Sequence, residues 1–313
     1  MMRLRALLAP FLGLIFVVAL FSALVPEAFP TLYNFRTVST QTVVVGLGAI
    51  GMSFVIMSGG IDLSVGSVIA LSSVAAAASL NAGWSAAAAI CAAVLTGAFC
   101  GLLNGLLIAR LRIMPFIATL GMMGIARGTA KRITGGQKID APASWLPDLV
   151  SKSSADAWLG LPPGLWILLA LAALMASVLR RTPFGLHVVA IGSNEATARL
   201  CGVNVPGTIT RVYILNGAFA GLAGAMLFGR LSVGEPTAAV GMELDIIAAC
   251  VIGGASLSGG EGGMLGAMIG AFLMAFLANG MNLAQVENYW QEILIGAIIV
   301  AAVALDRWRH RRR

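Results

Sequence analysis

The sequence predicts an all-α membrane protein of about ten transmembrane helices, interrupted by glycine-rich broken segments, with N- and C-termini cytoplasmic. Three observations predict it. Of the 313 residues, 59% are hydrophobic and only 11% charged, against the roughly 25% charge of a soluble domain. Apolar runs of membrane-spanning length, about 20 residues, recur from end to end. Arginines gather at the ends of those runs, so the net charge of +7 speaks for orientation in a lipid bilayer and not for nucleic acid. Residues 1–313 read as one membrane domain.

The first run, Ala6 to Val25, follows MMRLR. It exceeds the apolar stretch of a secretory leader and reads as a retained span. Further runs cover 42–57, 61–80, 86–109, 113–130, 163–179, 212–231, 243–258, 263–282 and 291–306. The runs 42–57, 243–258 and 291–306 are short for a crossing. The first two end at glycine-rich breaks, as half-helices meeting a re-entrant turn do. With the N-terminus inside, Arg3, Arg5, Arg110, Arg112, Arg180, Arg181, Arg199, Arg211, Arg307, Arg309, Arg311, Arg312 and Arg313 fall on the inner side. The outer side then holds Arg36, Lys131, Arg132, Lys138 and Lys152, the asymmetry that sets membrane orientation. Trp84, Trp145, Trp158, Trp166, Tyr289 and Trp290 fall near the outer boundary, Tyr213 and Trp308 near the inner one. Two loops are long: 133–162, extracytoplasmic, and 180–211, cytoplasmic. The second contains a short helical stretch, Asn194 to Leu200, with Asn194 placed to cap it and Glu195 in its first turn.

The run Ser58 to Ser67, SGGIDLSVGS, breaks an apolar stretch with glycines, serines and one acid. Unpaired backbone groups in hydrocarbon cost several kcal/mol each, so the break faces protein or a water-filled path. Ser58, Asp62 and Ser64 are therefore candidate pathway residues. Asp62 has two readings: a cap on the helix that follows it, or a contact in the path. Ala255 to Gly260 resembles Ile61 to Gly66, a recurrence that points to a transport route and adds Ser256 and Ser258 to the candidates. Asn104 and Asn279, each preceding a glycine within a span, serve either as interhelical hydrogen bonders or as contacts to a polar solute. Gly97, Gly101 and Gly105, like Gly262, Gly266 and Gly270, recur every four residues. That spacing keeps them on one helical face, where a neighbouring backbone approaches. Glu243, Asp245 and Glu261 lie near predicted helix ends, where solvated or capping roles suit them.

Catalytic and metal-binding arrangements are missing. Two histidines, four scattered cysteines and no HExxH exclude the usual intramembrane hydrolase and metal patterns. No cofactor and no metal is predicted. No G-x-x-x-x-G-K-[ST] is present, so any ATP that drives transport is hydrolysed by another chain. An ion-coupled carrier is disfavoured by spans nearly bare of acids and histidines.

The run MSGGIDLSVGSVIAL (Met57 to Leu71) resembles the signature of permease subunits of ATP-binding-cassette sugar importers, the ribose, galactose and xylose class. The likeness continues through Arg181 to Val205 and through Val251 to Leu283. The resemblance implies a bacterial inner-membrane, multi-pass subunit without catalysis of its own. It implies cytoplasmic ATP-binding subunits, a periplasmic sugar-binding protein and a second permease copy, the same or a sister chain. It makes the inner loop, with Gly192, Asn194, Glu195, Ala196, Ala198, Arg199 and Gly202, the segment that couples to the ATPase. The breaks at Ser58 to Ser67 and at Gly253 to Gly263 then line or gate a path for a neutral sugar. Glu261 departs from the family pattern and receives no role. Importers of the same architecture for a nucleoside, an autoinducer or a branched-chain amino acid are the alternative.

Overall fold

The structure is a computed structural model that describes residues 2–153 and 157–311; Arg312 and Arg313 lie outside the described residues. The helices in chain order are α1 (Met2–Leu24), α2 (Leu32–Met57), α3 (Val65–Asn81), α4 (Ala86–Ala109), α5 (Pro115–Thr134), α6 (Leu146–Leu149) and α7 (Pro163–Arg181). After these come α8 (Pro183–Ser193), α9 (Glu195–Leu200), α10 (Val205–Leu231), α11 (Met242–Ile252), α12 (Met264–Leu283) and α13 (Asn288–Arg311). Two antiparallel two-residue strands, β1 (Ile139–Asp140) and β2 (Val233–Gly234), pair Ile139 with Gly234 and Asp140 with Val233. The protein is an all-α membrane protein in which α2, α4, α7, α10 and α12 are each long and apolar enough to cross a bilayer.

The sequence-derived boundaries shift in informative places. The run 42–57 is no half-helix: α2 begins at Leu32, where Thr31 accepts the Asn34 N–H, and spans 26 residues. Polar residues in its first turns hid it from a hydropathy reading, because Ser39 and Thr42 fold their hydroxyls back onto the carbonyls of Phe35 and Val38. The run 291–306 likewise belongs to a 24-residue helix, α13. By contrast 243–258 is short as expected, since α11 has 11 residues and so spans only about half the hydrocarbon thickness.

Helices α2 and α10 form the centre. Almost every residue of α2 after Val38 is buried, which in a membrane chain means protein on all sides. The close approach of α10 to α4 is made by glycine on both helices. A methyl group on Gly97 would meet the carbonyl of Gly217 and the backbone of Gly221, and one on Gly101 the carbonyl of Tyr213. Gly266 and Gly270 pack in the same way on Gly253 and Ala249 of α11. Gly262 does not share their face: it precedes α12, at φ 157°, against the Met57 side chain.

One end of the molecule carries residues 135–153 and 157–162 and the two strands. Asn81 donates to the Asp140 carbonyl at 2.7 Å, and Arg36 to that of Gly160 at 2.9 Å. From there Pro236 to Gly241 runs back along α3, and α11 starts beside the first turn of α3, where Gly66 faces the Ala239 carbonyl and the Glu243 carboxylate. Arg127 of α5 clamps this stretch by donating to the carbonyls of Pro236 (2.8 Å) and Ala238 (2.7 Å). The opposite end carries α8, α9 and the α4–α5 turn.

Candidate functional site

Two breaks in the helical framework, residues 58–64 between α2 and α3 and residues 253–263 between α11 and α12, hold most of the candidate residues. The first break is braced from inside. Asp62, only 3% exposed, accepts the Ser64 N–H at 2.8 Å and the Ser64 hydroxyl at 2.5 Å on one carboxylate oxygen, and the Asn216 amide at 2.8 Å on the other. Asn104 of α4 donates to the same Ser64 hydroxyl at 3.0 Å. The Tyr213 hydroxyl donates to the Ile61 carbonyl at 3.2 Å, and Thr119 of α5 accepts the Leu63 N–H at 3.2 Å. Three helices, α4, α5 and α10, thus hold one short irregular stretch, which satisfies backbone groups a broken helix leaves open.

Asp62, Ser64 and Asn104 therefore come together, and all three are buried. The carboxylate is no cap of the expected kind: α3 starts at Val65, its N-cap Ser64 makes no side-chain capping bond, and Asp62 instead closes a tight turn on Ser64. The outer surface of this break is formed by Ser58, Gly60, Ile61 and Leu63, all partly exposed, and by exposed Gly59. Ser58 folds its hydroxyl onto the Val55 carbonyl at 2.8 Å.

The second break closes on itself through Ser256, whose N–H reaches the Glu261 carbonyl at 3.1 Å. Ser256 is buried, Ser258 exposed. The two breaks touch. The Gly260 N–H donates to the Met57 carbonyl, the last of α2, at 3.0 Å. Gly192, at the end of α8, is wedged between them: a methyl group there would fall on the Met57 carbonyl and against the Gly260 N–H, with Gly59 nearby. Only a glycine lets three backbones meet so closely. Asn279 is not part of this cluster. It sits buried on α12 beside Gly280, which packs on Phe21 of α1, and its side-chain carbonyl oxygen has no hydrogen-bond partner among the described residues.

The segment after Gly192 is a short helix at the surface. Asn194 caps α9 by accepting the Thr197 N–H at 2.8 Å. Glu195 and Arg199 form an exposed ion pair at 2.7 Å, Ala198 packs inward at 4% exposure, and Ala196 and Gly202 are exposed. The loop is shorter than 180–211, because α7 runs to Arg181 and α10 starts at Val205.

Several residues of the site escaped the sequence reading. Asn216 precedes Gly217 within a span just as Asn104 precedes Gly105, a signal that could have found it, whereas Thr119 sat in a span without an adjacent glycine to mark it. Tyr213 looked like a boundary aromatic yet is 1% exposed and reaches the first break. Arg127 and Arg230 lie inside helices and so fell outside a loop count. Glu243 is no solvated end residue, since one of its carboxylate oxygens is buried without a hydrogen-bond partner among the described residues. Among the described residues no group of His, Cys, Asp or Glu could hold a metal ion. A concavity of about 780 Å³ between α1 and α12, walled by residues such as Phe11, Ile15, Phe35 and Phe276, is apolar apart from Ser22 and Thr31.

The family described as "Branched-chain amino acid transport system / permease component" matches residues 34–303. The chain is 39% identical over 295 residues to the ribose import permease protein RbsC of Escherichia coli (strain K12), covering 94% of this chain and 92% of that one. It is 40% identical over 301 residues to RbsC of Bacillus subtilis (strain 168), with 96% and 92% covered. It is 36% identical to the D-allose transport system permease protein AlsC of Escherichia coli (strain K12), with 95% and 90% covered. No solved structure matches the chain significantly.

Proposed function

Because the chain belongs to the family of permease components of the branched-chain amino acid transport system, we propose that it is the membrane-spanning subunit of an ATP-driven importer. It moves a neutral sugar, a pentose or hexose, across the bacterial inner membrane by alternating access. The relatives that are 35–40% identical over nearly the whole chain are named for ribose, L-arabinose and D-allose, and this favours a sugar over the amino acid of the family description. A zwitterion would also need fixed charges to meet it, and the acid of the first break is already saturated by its own neighbours.

The observation that carries this reading is the meeting of the two breaks with Gly192. The end with α8 and α9 is cytoplasmic, as are both termini, and the 133–162 connection lies outside. The chain contributes no catalysis. Cytoplasmic ATP-binding subunits engage the coupling segment, residues Gly192, Asn194, Glu195, Ala196, Ala198, Arg199 and Gly202. Movement there reaches Met57 and Gly260 without an intervening side chain, so both breaks respond as one. A periplasmic sugar-binding protein delivers the solute, and a second permease copy completes the path. Asp62, Ser64 and Asn104 shape the first break from behind, Ser58 and Ser258 offer hydroxyls on the open sides of the first and second breaks, Ser256 supports the second break, and Asn279 meets the path separately from α12. A weakly polar route without fixed charge holds a sugar loosely enough to release it.

The test is uptake of radiolabelled ribose, arabinose and allose into proteoliposomes that contain the permease, with and without its ATP-binding subunit, each with the binding protein. Uptake that requires both the subunit and ATP is expected. Uptake by the permease alone, driven by a sodium or proton gradient, refutes ATP coupling.

A further inference from the structure

The surface around α9 is larger than α9. A cleft of about 420 Å³ lies between α9, the start of α10 and the turn that joins α4 to α5. Its walls include Arg112 and Met114 from the turn, Glu195 and Arg199 from α9, and Pro206 and Ile209 from α10. The turn is fixed in shape: Arg112 holds a left-handed conformation at φ 54°, and the Ile113 N–H closes onto the Leu107 carbonyl at 3.2 Å. Leucines stand open on both sides of the cleft, Leu111 at 67% and Leu200 at 88% exposure. With Met114, Pro206 and Ile209 in the wall they give the cleft an apolar edge open to a partner.

The charge around the cleft is predominantly positive. Arg110, Arg112, Arg199 and Arg211 are exposed, and the stretches 105–116 and 180–211 contain a single acid, Glu195. That acid is neutralised by Arg199. Arg110, Arg112 and Arg211 form no ion pair with a described residue.

We propose that the α4–α5 turn, with Leu111 and Arg112, is the second wall of the docking surface for the ATP-binding subunit. That subunit inserts apolar side chains into the cleft and brings carboxylates to the arginine rim. The proposal rests on the coupling role given above to α9 and extends it to a part of the chain some ninety residues away in sequence. Apolar anchors in a pocket ringed by complementary charge give affinity at the centre and orientation at the rim.

The test is co-purification of the ATP-binding subunit with the full-length permease from co-expressing membranes. The variants are Leu111→Glu, Arg112→Glu and Leu200→Glu, with Arg132→Glu at the other end of the molecule as control. Monodisperse elution of each permease variant in detergent secures the fold, and Leu111→Ser replaces Leu111→Glu if that variant aggregates. Expected is a loss of affinity of about tenfold or more for either leucine variant and a smaller, salt-sensitive loss for Arg112→Glu. The control should retain the wild-type amount. Full retention by Leu111→Glu and Arg112→Glu, with loss only in Leu200→Glu, overturns the second wall and leaves α9 as the docking site. Absence of the subunit from the wild-type permease overturns the coupling reading itself. An environment-sensitive fluorophore on Leu111→Cys should shift to the blue when the ATP-binding subunit is added. An emission already blue in lipid and unmoved by the subunit shows that the turn contacts headgroups, and overturns the proposal.

Discussion

Asp62 illustrates how a buried acid can be structural and still decide function. Its carboxylate collects three hydrogen bonds from Ser64 and Asn216 at almost no exposure. Replacement by alanine leaves those donors, all buried, without an acceptor, and unsatisfied groups cost about 1–3 kcal/mol each. The Asp62→Ala permease should therefore lose about 3 kcal/mol of stability and most uptake. Asp62→Asn should behave differently. The side-chain oxygen of Asn216 is buried and has no hydrogen-bond partner among the described residues, so a flip of the Asn216 amide lets it accept a hydrogen bond from the new side chain. The expected cost is about 1 kcal/mol with uptake largely kept. Thermal unfolding in detergent, paired with uptake by the same preparations, checks both. Loss of uptake by Asp62→Asn at near-wild-type stability would instead mean that the charge itself meets the solute. The presence of this acid at membrane depth was readable from sequence, but its partners were not, since nothing in a single chain ties Asp62 to a residue 154 positions away.

At the scale of elements, the chain is legible wherever packing and hydropathy point the same way. Helix α4 runs over the expected residues, 86–109, because Ser85 caps it by accepting the Ala88 N–H and every later residue suits a membrane helix. The expectation failed for α2, whose first turns are polar yet buried against protein, so that hydropathy underrates them. It also failed at Gly262, where the four-residue spacing continues past the start of the helix. Glycine spacing did forecast close backbone contact, and its energetics can be tested. Gly97→Leu would push its side chain into the Gly217 carbonyl and the Gly221 backbone, neither of which can rotate away. A loss of about 1–3 kcal/mol or more is expected from such overpacking, read as a lower unfolding temperature in detergent. Gly121 on α5, which has open space where its side chain would be, should accept alanine with no measurable loss.

For the whole molecule, the question is whether force and solute meet where the two breaks touch. The bond from Gly260 to the Met57 carbonyl and the close seat of Gly192 make one joint from segments that are distant in sequence. No sequence pattern announces that joint, because its members are glycines and backbone groups, and a glycine looks the same whether it turns a loop or admits a neighbour. Gly192→Ala should separate the surfaces of the joint. The expected result is ATP hydrolysis by the assembled complex that persists but no longer rises with sugar-loaded binding protein, together with uptake reduced about tenfold or more. A merely destabilised permease would instead lose assembly and hydrolysis together, so the ratio of hydrolysis to uptake is the reading that separates the two. The path itself can be followed by thiol labelling in a background without the native cysteines. A membrane-impermeant reagent should reach Ser58→Cys and Ser258→Cys, on the open side of the breaks, at rates that change when the ATP-binding subunit is trapped with a non-hydrolysable nucleotide. Ser64→Cys, sealed behind Asp62 and Asn104 at 0% exposure, should stay unlabelled in every state. Labelling of Ser64→Cys with protection of Ser58→Cys would place the water-filled route on the other face of the break, and the division between braced interior and open surface would have to be reversed.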